Sequence, residues 1–301
     1  MTYRVADTTS STDFTSRINS QRSRLSVLQE RMTTGKRINR ASDDPVGAEV
    51  VLSLRTSQTE IRQFQRNAQA ASQKLTAADD SLGGYGSLLD RARTLIAQGL
   101  TDTTTQEARN AIATELESLR SRILSVANTK SGDDYIFGGT RQNVPPYDPA
   151  TAAPAGSPTS PQYIQIEPGA NPIAVGVTAE TVFGDATSTI FADLTSAAAA
   201  LRGTGNAVAD KATLQNTNAR LGVYSGLVNN ALTIVGANMN STDIAAETLG
   251  NSFSSLDERA LALEGADFAE TAVGLADAQR ALEATLQVAA KGRRSLFDYL
   301  G

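Results

Sequence analysis

Apolar residues recur at alternating spacings of three and four along much of this 301-residue chain. The longest series is Ile61, Phe64, Ala68, Ala71, Leu75, Ala78, Leu82, Tyr85, Leu89, Ala92 and Ile96. This heptad spacing places the apolar side chains along one side of a helix that packs against neighbouring helices. At a rise of about 1.5 Å per residue, the series extends over about 54 Å. We therefore predict a long helix with coiled-coil-like packing.

Shorter series of the same kind predict further helices. One lies between Ile112 and Val126, and another begins at Leu221 and keeps its phase to Leu249. Both ends of the chain carry the pattern as well, so we predict that both ends are helices with apolar seams. The large apolar residues of these two terminal seams are Ile18, Leu25, Leu28, Met32, Leu275, Leu282, Leu286, Leu296 and Leu300.

Proline is confined to one part of the chain. Eight of the nine prolines lie between Pro145 and Pro172, and the ninth is Pro45. The segment 141–204 is also rich in Gly, Thr and Val, and it contains short β-like runs at Tyr163–Ile166 and Ile173–Val177. We predict a mainly α protein, in which the N- and C-terminal parts form a long helical bundle with a small β-rich inserted domain.

This organisation divides the chain into three parts. Residues 1–40 and 268–301 are predicted to be terminal helices, and residues 41–140 and 205–267 the core of the helical bundle. Residues 141–204 are predicted to be the β-rich insert. Because the heptad series do not pass through the insert, we expect the bundle to fold without it.

Composition excludes several kinds of chemistry. The chain has no histidine and no cysteine, so it has no Ser-His-Asp or Cys-His nucleophile and no imidazole or thiolate metal site. A net charge of −5 argues against nucleic acid as the main partner. No apolar run approaches the roughly 20 residues of a membrane span, and the N-terminus lacks the apolar region of a cleavable secretory signal. We expect no enzyme activity, no cofactor and no membrane insertion.

The stretch Ser42-Asp43-Asp44-Pro45 is the most prominent polar cluster. Two adjacent carboxylates could serve acid–base chemistry or bind a metal. Alternatively, Asp44 is the N-cap of a helix whose first residue is Pro45. We favour the helix cap, because no partner base or set of metal ligands stands nearby in the sequence.

Several stretches resemble the bacterial flagellin superfamily. They occur in the expected order and cover roughly residues 15–140 and 210–301. These stretches are Leu28–Ile38, Ala41–Glu49, Ile123–Asn128, Tyr135–Thr140 and Ala281–Leu300.

The resemblance implies a self-assembling structural subunit of the bacterial flagellum, exported through the flagellar type III channel without a cleaved signal. It implies that the nine residues of the terminal seams form the assembly interface. The implied partners are copies of the chain, a neighbouring hook-associated protein, flagellin, and an export chaperone on the C-terminal helix. The Ser42–Pro45 stretch resembles subunits that join the hook to the filament. The alternative is a filament flagellin, or a flagellin-like surface protein whose insert binds polysaccharide or another cell.

Overall fold

The structure, a computed structural model, describes the backbone of residues 3–156, 159–185 and 187–300 and, within these ranges, the side chains from residue 12 to residue 288. The described chain is mainly α, as predicted. Its helices are α1 (Tyr3–Thr34), α2 (Pro45–Gly99), α3 (Gln106–Ala127), α4 (Ala179–Phe183), α5 (Ile190–Arg202), α6 (Ala207–Glu264) and α7 (Phe268–Leu300).

The strands form three small antiparallel pairs. In these pairs β1 (Lys130–Ser131) lies beside β2 (Asp134–Tyr135), β3 (Tyr163–Ile164) beside β4 (Ile173–Ala174), and β5 (Gly184–Asp185) beside β6 (Ser188–Thr189). The pair β3–β4 falls in the two predicted β-like runs. The same segment, 141–204, also contains α4 and α5.

The chain divides into two compact units. Unit 1 comprises Met1–Glu60 and Ser252–Gly301, and unit 2 comprises Ile61–Asn251. The helices α2 and α6 contribute residues to both units.

Unit 2 contains the long predicted seam. Every residue of the series from Ile61 to Ile96 is buried except Phe64, which is half-buried. The seam keeps its phase through Gly83 and Gly84, which lie on an open face where an added Cβ would meet no atom within 4 Å. A glycine costs a helix about 1 kcal/mol relative to alanine. Burial of the continuous seam offsets this cost, and the predicted long helix is confirmed.

Aromatic residues join the segment 141–204 to the helices of unit 2. Tyr85 of α2 packs against Phe183 with ring centroids 4.4 Å apart, and Phe183 meets Phe137 edge-on at 5.2 Å. Tyr147 meets Phe191 at 4.9 Å. All five rings belong to one continuous hydrophobic cluster that also contains the seam from Leu75 to Ile96. The bundle and this segment therefore share one hydrophobic core, which argues against the expectation that the bundle folds without the segment.

Two local features fix the segment in place. The side chain of Asn128 donates to the Tyr147 carbonyl at 2.8 Å and accepts from the Tyr147 N–H at 3.1 Å. Gly184 has φ of +101°, and a Cβ there would collide with the carbonyl oxygen of Ser188. Only glycine fits such a turn without strain.

In unit 1, α1 packs along α7 in the antiparallel direction. The Ala266 N–H donates to the Gly35 carbonyl at 2.9 Å, where α1 has just ended and α7 is about to begin. Further along, the Leu28 side chain lies where a Cβ on Gly274 would meet it at 3.6 Å. The two terminal helices are therefore paired within one subunit.

Candidate assembly site

The described side chains of unit 1 form little apolar core. Among its described side chains, the buried apolar residues are Ile38, Ala260 and Ala278. Large apolar side chains are exposed instead. Across the described part of the chain fifteen are exposed, and nine of these belong to unit 1, the smaller unit: Val27, Val46, Val50, Leu52, Leu261, Phe268, Val273, Leu286 and Val288.

This distribution makes unit 1 the candidate assembly surface. Isolated helices are marginal in water, and most helical stability comes from packing an apolar face. A concentration of exposed apolar side chains in one part of a protein is a candidate site of association. Unit 1 has helices and exposed apolar residues but little of the burial that would stabilise them.

Small residues form the centre of the contact that α7 makes with α1. Ala278 is 4% exposed and Thr271 is 7% exposed, and Gly274 lies between them against Leu28. The absence of a bulky side chain at Gly274 and Ala278 lets the two helices approach closely. The heptad pattern missed Thr271 and Gly274, because neither is an apolar residue of the kind that the pattern counts.

Of the predicted seam residues, Leu28 lies in this contact. Leu286 is 42% exposed, and the side chains of Leu296 and Leu300 lie outside the described residues. The structure brings Leu28 against α7, at Gly274. Six predicted interface residues are half-buried: Ile18, Leu25, Leu28, Met32, Leu275 and Leu282.

A connecting loop, residues 35–44, turns the chain from α1 into α2. Gly35 has φ of +68°, which ends α1, and α2 begins at Pro45. The Gly47 N–H donates to Asp44 Oδ1 at 2.9 Å, the geometry of an N-cap. This hydrogen bond, with help from the Arg37 guanidinium at 3.2 Å, lowers the pKa of the Asp44 carboxyl.

Asp43 organises the turn from the other side. Its Oδ2 accepts the N–H of Asn39 at 3.1 Å and of Arg40 at 2.9 Å. These backbone hydrogen bonds lower the pKa of the Asp43 carboxyl. Both carboxylates of the pair are therefore used to shape the loop. Within the described residues, no group of three or more acidic side chains stands close enough to hold a metal ion.

A buried carboxylate ties the end of α6 to this loop and to α2. Glu264 is 4% exposed, and its carboxylate pairs with Lys36 at 3.4 Å and with Arg55. The Arg37 N–H donates to the Glu264 carbonyl at 2.6 Å. A buried charge is tolerated only when it is paired, so Glu264 fixes the positions of Lys36 and Arg55. Glu264 could not be identified from the sequence, because its partner Lys36 lies 228 residues away along the chain and no local pattern links the two.

Two open grooves border the connecting loop. The loop groove, about 500 Å³, has apolar side chains that include Ile38, Val51 and Leu52, and Lys36, Arg40 and Arg55 add positive charge. The helix groove, about 680 Å³, lies between α1 and α7. Its α1 side carries arginines and its α7 side carries carboxylates, and these are Arg24, Arg31, Asp267 and Glu270.

The helices show no membrane-spanning character. In the part of the chain that the structure describes, none is both long enough and apolar enough to cross a bilayer.

Comparison with known proteins defines the class of protein. Residues 5–142 match the family model described as the bacterial flagellin N-terminal helical region. This region contains most of α1, the connecting loop, α2 and α3. Over these residues the chain is similar to flagellin, and the resemblance to the superfamily seen in its sequence motifs is confirmed.

More particular relatives are flagellar hook-associated proteins. Flagellar hook-associated protein 3 of Salmonella typhimurium is 29% identical over 162 residues, which are 54% of this chain and 50% of that protein. The same protein of Escherichia coli is 28% identical over 244 residues, 74% of this chain and 75% of that protein. The chain thus resembles flagellar hook-associated protein 3, although its match spans only half the length of the Salmonella relative.

A solved structure shares the fold. The flagellar junction protein FlgL from Legionella pneumophila superposes with a TM-score of 0.57 and 16% identity, covering 72% of this chain and 100% of that chain. At this level of identity the likeness concerns the fold alone.

Proposed function

We propose that this protein is a structural subunit of the bacterial flagellum that joins the hook to the filament. The observation that carries the proposal is the exposed apolar surface of unit 1, which has two paired helices and three buried apolar residues among its described side chains. Such a surface is suited to repeated contact with copies of the same chain. Its similarity to flagellar hook-associated protein 3 supports the same assignment.

The assembly is formed by the terminal helices. In this proposal, residues 1–40 and 268–301 associate with their counterparts in neighbouring copies, and the seam residues that are half-buried or exposed in the subunit become buried. The ends of the resulting ring or short tube contact a neighbouring hook-associated protein on one side and flagellin on the other. The protein acts outside the cell and has no catalytic role.

Export precedes assembly. We propose that the chain leaves through the flagellar type III channel without cleavage of a signal, and that a chaperone covers the C-terminal helix beforehand. Apolar residues are exposed on the described part of α7, among them Val273, Leu286 and Val288. Their exposure supports the proposal that a chaperone binds this helix before assembly.

An adhesive role for the segment 141–204 is not favoured. Sugar binding uses exposed aromatic rings as platforms, and Tyr147, Phe183 and Phe191 are fully buried in the core of unit 2. Tyr163, with 57% exposure, is the exposed aromatic residue among those described in this segment.

Electron microscopy of a strain that lacks the gene tests the proposed function. We expect hooks without filaments, with flagellin released into the medium, and restoration of filaments by a plasmid copy of the gene. Filaments attached to hooks in the deletion strain would contradict a junction role.

A further inference from the structure

We propose that the loop groove of one copy receives the Phe268 side chain of the next copy. This inference rests on the proposed self-assembly and names the contact that drives it. Phe268 belongs to α7, and the groove lies between the connecting loop and the first turns of α2. Each copy carries both surfaces.

The groove has the character of a site for an apolar side chain. Leu52 is 69% exposed, although it lines the groove together with Ile38 and Val51, and the open volume of the groove is about 500 Å³. Uncovered leucine at the wall of a concave surface is unfavourable in water, and burial of apolar area recovers about 25 cal/mol per Å².

Phe268 is the side chain in unit 1 best suited to fill it. It is 65% exposed, and it is the aromatic member of the exposed apolar set described in this unit. It does not line the groove of its own copy. The first turn of α7 holds it firmly, because Asp267 Oδ1 accepts the N–H of Ala269 at 2.8 Å and of Glu270 at 3.1 Å.

The charges around the two surfaces are complementary. The groove lining carries three cations and one carboxylate, Glu264, while Glu30 and Asp257 outside the lining pair with Arg40 and Arg55. Phe268 directly follows Asp267. The Arg40 side chain is 70% exposed even while it pairs with Glu30 at 3.3 Å. It therefore has room to lie over an aromatic face, an arrangement that attracts a guanidinium. Phe268 of the next copy, which directly follows the Asp267 carboxylate, therefore suits this lining.

The contact joins two different surfaces, so it is head-to-tail. A heterologous contact of this kind repeats from copy to copy, and it generates a closed ring or a helical array. A two-fold dimer would instead bring identical surfaces together and would stop at two copies.

Thiol cross-linking in assembled flagella tests the proposal. The natural chain has no cysteine, so a Leu52→Cys and Phe268→Cys double variant has only the two introduced thiols. A deletion strain carrying this variant is treated with a short bis-maleimide, and the subunits are separated by denaturing electrophoresis. We expect dimers, trimers and longer ladders. When the two single variants are expressed together in one cell, we expect dimers without longer products.

Two controls define the contrary results. A Val46→Cys and Phe268→Cys variant, whose first thiol is on a residue 74% exposed on α2, should remain monomeric. Ladders of equal strength from this control, or monomers and internally cross-linked single chains from the Leu52–Phe268 variant, would overturn the proposed contact. Motile cells with monomers only would reject this contact while leaving the junction role intact.

A second measurement covers the case in which the double variant does not assemble. Phe268→Asp should abolish filament attachment while the purified subunit keeps the melting temperature of the wild type, and Phe268→Leu should retain attachment. Normal motility of the Phe268→Asp strain would exclude the proposed docking of Phe268.

Discussion

At the scale of single residues, two tyrosine hydroxyls in the aromatic cluster of unit 2 have different surroundings. The Tyr147 hydroxyl donates to the carbonyl of Gly184 and lies 3.4 Å from the carbonyl of Ala179. The Tyr85 hydroxyl is buried and has no hydrogen-bond partner among the described residues. Burial raises the pKa of both phenols, so both stay protonated.

This difference predicts opposite effects of removing each hydroxyl. Tyr147→Phe leaves buried carbonyl groups without their donor and should destabilise the protein by about 1–3 kcal/mol. Tyr85→Phe removes an unsatisfied polar group and should be neutral or stabilising by up to about 1 kcal/mol. Denaturant unfolding of the two variants measures both values. A larger loss from Tyr85→Phe than from Tyr147→Phe would contradict the assigned surroundings.

The N-cap at Asp44 should depend on pH. Its pKa is lowered in the folded protein, so the charged cap contributes fully above the unfolded value of about 3.9 and is lost as pH falls through the folded value. The protection of the Gly47 amide against hydrogen exchange reports on the cap. The difference in Gly47 protection between the wild type and an Asp44→Asn variant should be constant near neutral pH and should shrink below about pH 5. A pH-independent difference would show that the carboxylate charge has no part in the cap.

At the scale of helices, two leucines at equivalent heptad positions should behave differently. Leu75 is fully buried in unit 2, whereas Leu286 is 42% exposed on α7. Leu75→Asp buries an unpaired charge and should cost about 3–5 kcal/mol or more. Leu286→Asp should change the stability of the free subunit by about 0.5 kcal/mol but should prevent assembly. Thermal melts and motility assays measure the two effects.

An early melt of the Leu286→Asp subunit, like that of Leu75→Asp, would mean that α7 is an ordinary part of the subunit core. Full motility of the Leu286→Asp strain would remove this leucine from the assembly interface.

The helices could be predicted from the sequence where one periodic pattern determines the packing. The seam from Ile61 to Ile96 is such a case, because its apolar residues recur at the same alternating spacing of three and four. Other features depend on residues that are distant along the chain. Phe183 packs directly against Tyr85. Glu264 pairs with Arg55, which lies 209 residues away along the chain. No local spacing encodes such contacts.

The assembly site was only partly accessible to sequence analysis. The pattern selected Leu28 on α1, but its contact on α7 is Gly274, a residue with no hydrophobic signal. The exposure of Phe268 and the groove beside Leu52 depend on how the connecting loop folds back. The loop is held by hydrogen bonds to Asp43 and Asp44. The sequence identified Asp44 as a helix cap, but it gave no sign of the groove.

At the scale of the whole molecule, the shared core of unit 2 predicts the result of a deletion. Removing residues 145–195 takes Tyr147, Phe183 and Phe191 out of the cluster and exposes Tyr85. Large aromatic truncations in a core each cost about 3–5 kcal/mol, comparable together with the entire stability of a domain. We expect loss of the cooperative melt followed by circular dichroism. A cooperative, mainly helical melt close to that of the wild type would contradict a shared core.

The central claim is that unit 1 completes its burial only in the assembly, whereas unit 2 is complete in the subunit. Hydrogen exchange tests it most directly, measured for residues 12–34, 268–288 and 61–96 in a demonstrated monomer and in isolated flagella. In the monomer, the terminal helices should be protected by about 1 kcal/mol, as in fraying segments, and residues 61–96 by nearly the global stability. In flagella, all three segments should be strongly protected. Terminal helices as protected as residues 61–96 in the monomer would contradict the account.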